Sequence, residues 1–160
     1  MRRVVVATLV LVALVACGDD GSDEAVSPAQ FTTDCPESVD YSAPTLEVKT
    51  AEPPRMGRPV AWQLILTNGG PDTIVMQFGS SQLGDVVLEQ DGEEIYRWSR
   101  ERMFTQSIQC LELRGGESAR LDLTDDTLEI NAGKYDLTAT VASQPNAPRP
   151  VRRTVTVLPR

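Results

Sequence analysis

From Thr45 to the C-terminus, apolar and polar residues alternate with a period of two in short runs that turn residues interrupt about every ten positions. A strand points successive side chains to opposite faces, so this rhythm suits sheets with one buried face and gives no helix an apolar stripe. Val60, Trp62, Leu64 and Leu66 alternate with Ala61, Gln63, Ile65 and Thr67 until Asn68-Gly69-Gly70-Pro71 ends the run, and Ile74, Met76 and Phe78 resume it. Val86 and Leu88 lead into Asp91-Gly92, a hairpin signal, and Ile95 to Trp98 returns. Leu111 with Leu113, Leu121 with Leu123 after the Gly115-Gly116 turn, then Tyr135, Leu137, Ala139 and Val141, and last Val151, Arg153, Val155 and Val157 complete the set. About nine strand candidates and no helical period predict an all-β fold, an antiparallel immunoglobulin-like β-sandwich over residues 45–160. Asn131-Ala132-Gly133-Lys134-Tyr135 has the form of a tyrosine corner, in which the phenol bonds back across a connection; simple core packing of Tyr135 is the other reading.

The N-terminus follows different rules. Arg2 and Arg3 precede Val4 to Ala16, an apolar run interrupted only by Thr8, which has the length of a signal-peptide core and falls short of the roughly 20 residues a spanning helix needs. Leu14-Val15-Ala16-Cys17 matches a bacterial lipobox, with Gly18-Asp19-Asp20 entering water directly afterwards. Residues 1–16 are therefore read as a lipoprotein signal peptide, and Cys17 as the lipid attachment site, carrying diacylglyceryl and palmitate-type acyl chains. Removing the signal leaves thirteen bases against twenty-three acids, a net charge of about −10, which disfavours nucleic acid and anionic head groups as partners. Attachment would rest on the acyl chains, two or three being needed for stable anchoring. Residues 17–44, rich in Asp, Glu, Ser, Thr and Pro, are expected to form a flexible acidic tether, since they carry too little apolar surface to offset ordering entropy.

With Cys17 taken by lipid, Cys35 and Cys110 remain as an even pair in an exported chain, and a disulfide is the economical assignment. Two free thiols are the alternative. A bridge would pin the end of the tether against a strand.

Asp91-Gly92-Glu93-Glu94-Ile95-Tyr96-Arg97-Trp98-Ser99, Met103-Phe104-Thr105-Gln106, Gly115-Gly116-Glu117 and Gly133-Lys134-Tyr135 together resemble the BsuPI domain, a family named after an intracellular proteinase inhibitor. That family reads as an Asn-Thr or Asn-Gly turn after a strand, a D-G hairpin, a W-S step, an M-F-T-Q segment, a P-G-E turn and a G-x-Y strand entry. The resemblance runs from about Val60 to Val141, and its W-S and M-F-T-Q elements are the specific ones. Two departures stand out: Gly115 occupies the usual proline position, and a lipidated, exported setting differs from an intracellular one. The resemblance implies a β-sandwich and a proteinase as partner.

No catalytic constellation stands beside it. The chain has no histidine, which removes the commonest general base, the Ser-His and Cys-His nucleophile pairs and the commonest zinc ligand. Gly69-Gly70 and Gly115-Gly116 lie between strands and not ahead of a helix, so neither reads as a phosphate loop. Asp122, Asp125 and Asp126 form the densest acidic group but lack the glycine and bidentate glutamate of a calcium loop. Neither an enzyme, a metal nor a cofactor is expected.

The connection from Trp98 to Gln109 is the candidate partner-binding region. Arg97, Arg100 and Arg102 cluster there on an acidic chain, interleaved with Trp98, Met103 and Phe104, and Arg and Trp are enriched at binding hot spots. The bland reading has Trp98, Met103 and Phe104 plugging one end of the sandwich while the arginines pair with Glu94, Glu101 and Glu112. The favoured division gives the fold to the apolar residues and affinity to exposed arginines. Two functional classes follow: a membrane-anchored binding module of the BsuPI type that inhibits a proteinase, or an accessory envelope lipoprotein that docks another protein without inhibiting it.

Overall fold

The computed structural model describes residues 26–36 and 42–160; the signal segment and Cys17 lie outside the described residues. Ten strands follow one another: β1 (Thr45–Thr50), β2 (Val60–Thr67), β3 (Ile74–Phe78), β4 (Gly84–Gln90), β5 (Glu93–Arg97), β6 (Gln109–Leu113), β7 (Ser118–Asp125), β8 (Gly133–Val141), β9 (Ser143–Gln144) and β10 (Val151–Val157). No helix occurs among the described residues. The strands form three antiparallel sheets in the orders β1-β2-β7, β10-β8-β4-β5 and β6-β3-β9. The last two are continuous through β8 and β9, separated only by Ala142, because β8 pairs with β4 while β9 pairs with β3. The result is the β-sandwich that the alternation predicts.

Its core is built from the inward positions of each run. Trp62, Leu64 and Leu66 of β2 and Leu121 and Leu123 of β7 meet Val86 and Leu88 of β4 and Tyr135, Leu137, Ala139 and Val141 of β8 in one buried cluster. Each Val or Leu side chain among them, fully buried, contributes about 1.5–3 kcal/mol of transfer free energy. Tyr135 does both things expected of it: it is buried in that cluster, and its Oη donates to Asn131 O at 2.8 Å. Asp91 and Gly92 adopt left-handed conformations, with φ of 54° and 80°, as the two-residue hairpin between β4 and β5 requires.

Buried Asn68 clamps two turns together. Its Nδ2 donates to Asp72 O at 2.7 Å and Leu113 O at 2.9 Å, its Oδ1 accepts from Gly70 N, and its carbonyl accepts from Gly116 N. The turns press so closely that a Cβ on Gly115 would lie 2.3 Å from Pro71 O. A proline at this position would clash, which accounts for the glycine found there.

The tether expectation needs revision where the structure describes it. Residues 26–36 run as a strap across two sheet edges. Pro28 pairs in parallel with Arg120 of β7, and Thr32 pairs antiparallel with Cys110 of β6 through bonds of 2.8 and 3.0 Å. Phe31 packs edge-on against Phe78, with ring centroids 5.5 Å apart. Cys35 and Cys110 are bridged, with Cα atoms 5.5 Å apart, so the disulfide of the two readings is the one found. The strap satisfies backbone groups that the edge strands β6 and β7 would otherwise present unpaired.

Candidate partner-binding loop

β5 ends at Arg97, and the chain then crosses to β6 through residues 98–108. Trp98 starts this loop buried, at 9 % exposure, with its Nε1 donating to Thr124 O at 3.0 Å and its backbone N donating to Val86 O at 2.9 Å. Beside it lies Asp85 of β4, an outward-facing carboxylate that is nonetheless only 7 % exposed. Its Oδ1 accepts from Val86 N at 2.9 Å and Ser99 N at 3.0 Å. Its Oδ2 accepts from Ser99 Oγ at 2.6 Å and Arg97 Nη1 at 3.0 Å. One side chain thereby fixes where the loop leaves the sheet.

The three arginines come together here, but each is engaged. Arg97 binds Asp85 and also Glu94, reaching Oε1 at 3.1 Å. Arg100 Nη2 donates to the same Glu94 Oε1 at 2.8 Å. Hydrogen bonds from Arg97 and then Arg100 hold the Glu94 carboxyl below its ordinary range, and those from Glu94 and Asp85 push the Arg97 guanidinium up. Arg102 Nε donates to Trp98 O at 2.7 Å, its Nη2 donates to Thr124 O at 3.0 Å, and the guanidinium stacks 4.5 Å over the Trp98 ring. It also lies 3.4 Å from Asp125. That carboxylate accepts from Tyr96 Oη at 3.2 Å; burial, with Asp125 nearby, pushes the Tyr96 phenol up. Of the three acids expected to pair with the arginines, Glu94 does so. Asp85 and Asp125 take the other roles, and Glu101 and Glu112 form no ion pair among the described residues.

Of the apolar residues, Trp98 and Phe104 sit as the core reading expects. Phe104 is half-buried against the core, its ring 5.8 Å from that of Trp98. Met103 does not plug the sandwich: it is 98 % exposed. The physical reason is that Arg102 and Phe104 on either side both turn toward Trp98 and so leave the residue between them facing outward. Beyond it, Thr105 N donates to Ser81 Oγ at 3.0 Å and Ser81 N to Thr105 O at 2.9 Å, tying the loop to the β3–β4 connection. Glu101 holds a left-handed φ of 61°, which places the bend just before the tip.

Asp85 escaped the sequence reading. The Asp91-Gly92 turn gives a register from which its cross-strand partner could be counted, but a bulge between Leu88 and Glu89 shifts that count by one. The acids Asp122 and Asp125 do not converge on a shared site: Asp122 pairs with Arg120, while Asp125 faces Tyr96 and Arg102.

Fold and loop together define a small antiparallel β-sandwich domain that projects one braced loop from its end. The model of the BsuPI family, described as intracellular proteinase inhibitor, matches residues 45–146, and the chain belongs to that family. The match spans β1 through β9 and ends at Asn146, a wider stretch than the Val60 to Val141 resemblance. No curated protein matches the chain.

Proposed function

We propose that this chain is an exported, lipid-anchored proteinase inhibitor, acting through the loop of residues 98–108. The observation that carries the reading is the bracing of that loop, in a family of proteinase inhibitors, by Asp85 at its start, Arg102 at its bend and Ser81 beyond its tip. An inhibitory loop held in one conformation has its ordering cost met before it binds. The lipobox ending at Cys17 supports export and anchoring, and the Cys35–Cys110 disulfide supports an oxidising compartment. Eight residues lie between Cys17 and Val26, and at about 3.3 Å per residue the nine steps from one to the other reach no farther than about 30 Å. The sandwich would therefore act close to the membrane surface.

Two measurements test this. Cys17→Ser should move the protein out of the detergent phase on phase partitioning; unchanged partitioning refutes the anchor. The full chain in detergent should inhibit at least one member of a panel of subtilisin-like, chymotrypsin-like and trypsin-like enzymes. Inhibition of none would end the inhibitor reading and favour an accessory envelope lipoprotein.

A further inference from the structure

Only two large apolar side chains among the described residues stand exposed, Met103 at 98 % and Ile108 at 58 %, and both lie in the same loop. Leaving a methionine fully in water forgoes the stabilisation its burial would bring. Its neighbours, by contrast, are held. Arg102 is locked to Trp98 and Thr124, Phe104 is packed on Trp98, and Thr105 is hydrogen-bonded to Ser81. The backbone groups of Met103 and Phe104 make no hydrogen bond among the described residues and so remain free to pair with an extended binding cleft.

We propose that Met103 is the side chain this loop inserts into its target, and that the target is an endopeptidase with an apolar primary pocket. The inference rests on the inhibitor reading above. Endopeptidases bind chains in extended form and select them by the side chain entering that pocket. A free apolar side chain on a braced loop, with unpaired backbone groups at Met103 and Phe104 that a cleft can hold in extended form, meets both needs. The neighbouring cations do not: Arg100 is bound to Glu94 at 2.8 Å and Arg102 to Trp98 O at 2.7 Å, so an acidic pocket would have to strip them from those partners. The structure thus exchanges the roles suggested by composition. The arginines build the scaffold, and Met103 supplies contact.

The test compares inhibition by the full chain in detergent of a subtilisin-like or chymotrypsin-like enzyme, whose pocket is apolar, with that of a trypsin-like enzyme, whose pocket is acidic. The wild-type chain should favour the former. Met103→Ala should weaken that inhibition about 100-fold, or about 2.8 kcal/mol at 1.4 kcal/mol per tenfold, with the melting temperature unmoved because the side chain touches nothing. Met103→Lys should shift preference toward the trypsin-like enzyme. If Met103→Ala inhibits as well as wild type while Arg100→Ala does not, the inference is overturned and the inhibitor reading stands. A wild-type preference for the trypsin-like enzyme would also overturn it. Inhibition of no enzyme would take down the inhibitor reading and this inference with it.

Discussion

Replacing Asp85 with alanine removes the acceptor that joins β4 to the start of the loop. Three donors from the loop side converge on it: Ser99 N at 3.0 Å, Ser99 Oγ at 2.6 Å and Arg97 Nη1 at 3.0 Å. Hydrogen bonds to a charged partner contribute about 1.5–3 kcal/mol each when shielded from water. The Arg97 side chain is 40 % exposed and keeps Glu94, so its pair with Asp85 is discounted to well under about 1 kcal/mol. The two bonds from Ser99 remain, at the lower end of that range because Ser99 is only half-buried, giving a loss of about 3 kcal/mol. For a domain of this size the loss corresponds to a fall in melting temperature of about 10 °C. Asp85→Asn should cost less, since one oxygen can still accept from Ser99 N while the amide donors face Arg97. Thermal unfolding gives the magnitude, and amide hydrogen exchange locates it: exchange should quicken at Ser99, whose N–H donates to Asp85 Oδ1, and at Arg102, whose N–H donates to Ser99 O, and stay unchanged at Leu137 in the core. An Asp85→Ala chain within about 0.5 kcal/mol of wild type, with Ser99 equally protected, would refute the assignment of Asp85 as the residue that fixes the loop.

Cys35→Ser should destabilise the domain by no more than the chain-entropy limit of about 4–5 kcal/mol for the 75-residue loop, and hydrogen exchange should quicken at Ala29 and Thr32 of the strap before any core strand opens; unchanged exchange there would show that the strap holds without the bridge. Glu94 supplies a pH dependence of definite sign. Its folded carboxyl sits below the ordinary value of 4.5, so its contribution is present in full above that value and is lost as the pH falls through the lowered one. Wild type should therefore lose more stability than Glu94→Gln on acidification from pH 6 to 3 (a range of about three units) in parallel thermal melts, and equal losses would contradict the pairing.

The fold was legible wherever one face of a strand is buried and the other wet. β7 and β8 carry their buried residues at the alternate positions that the sequence shows, and β2 does so with Ile65 buried in addition on its other face. β9 was not legible, because two residues are too few to alternate; it exists as the continuation of β8 past Ala142 onto β3. The strap was hidden for another reason. Averaged over residues 17–44 the composition is that of a solvated linker, yet one aromatic residue, Phe31, one cysteine and the open edges of β6 and β7 suffice to seat residues 26–36. Composition measures whether a segment can build a core, and the strap borrows one already built.

The candidate loop stands out in the sequence by its arginines and is understood through their partners. On a chain carrying twenty-three acids, a guanidinium at a strand end is surrounded by carboxylates, and the hairpin brings Glu94 and Asp85 to Arg97 while β7 brings Asp125 to Arg102. The same abundance of acid that makes a cationic cluster conspicuous in the sequence therefore ensures that the cluster is largely consumed within the fold. An uncharged residue has no such partner to draw it inward. Flanked by Arg102 and Phe104, both turned toward Trp98, Met103 is left pointing outward. Neutralised cations around a free apolar tip suit a contact made by desolvation better than one made by charge. Inhibition through this loop should accordingly change little between low and high salt, whereas inhibition driven by Arg100 or Arg102 would fall steeply with it.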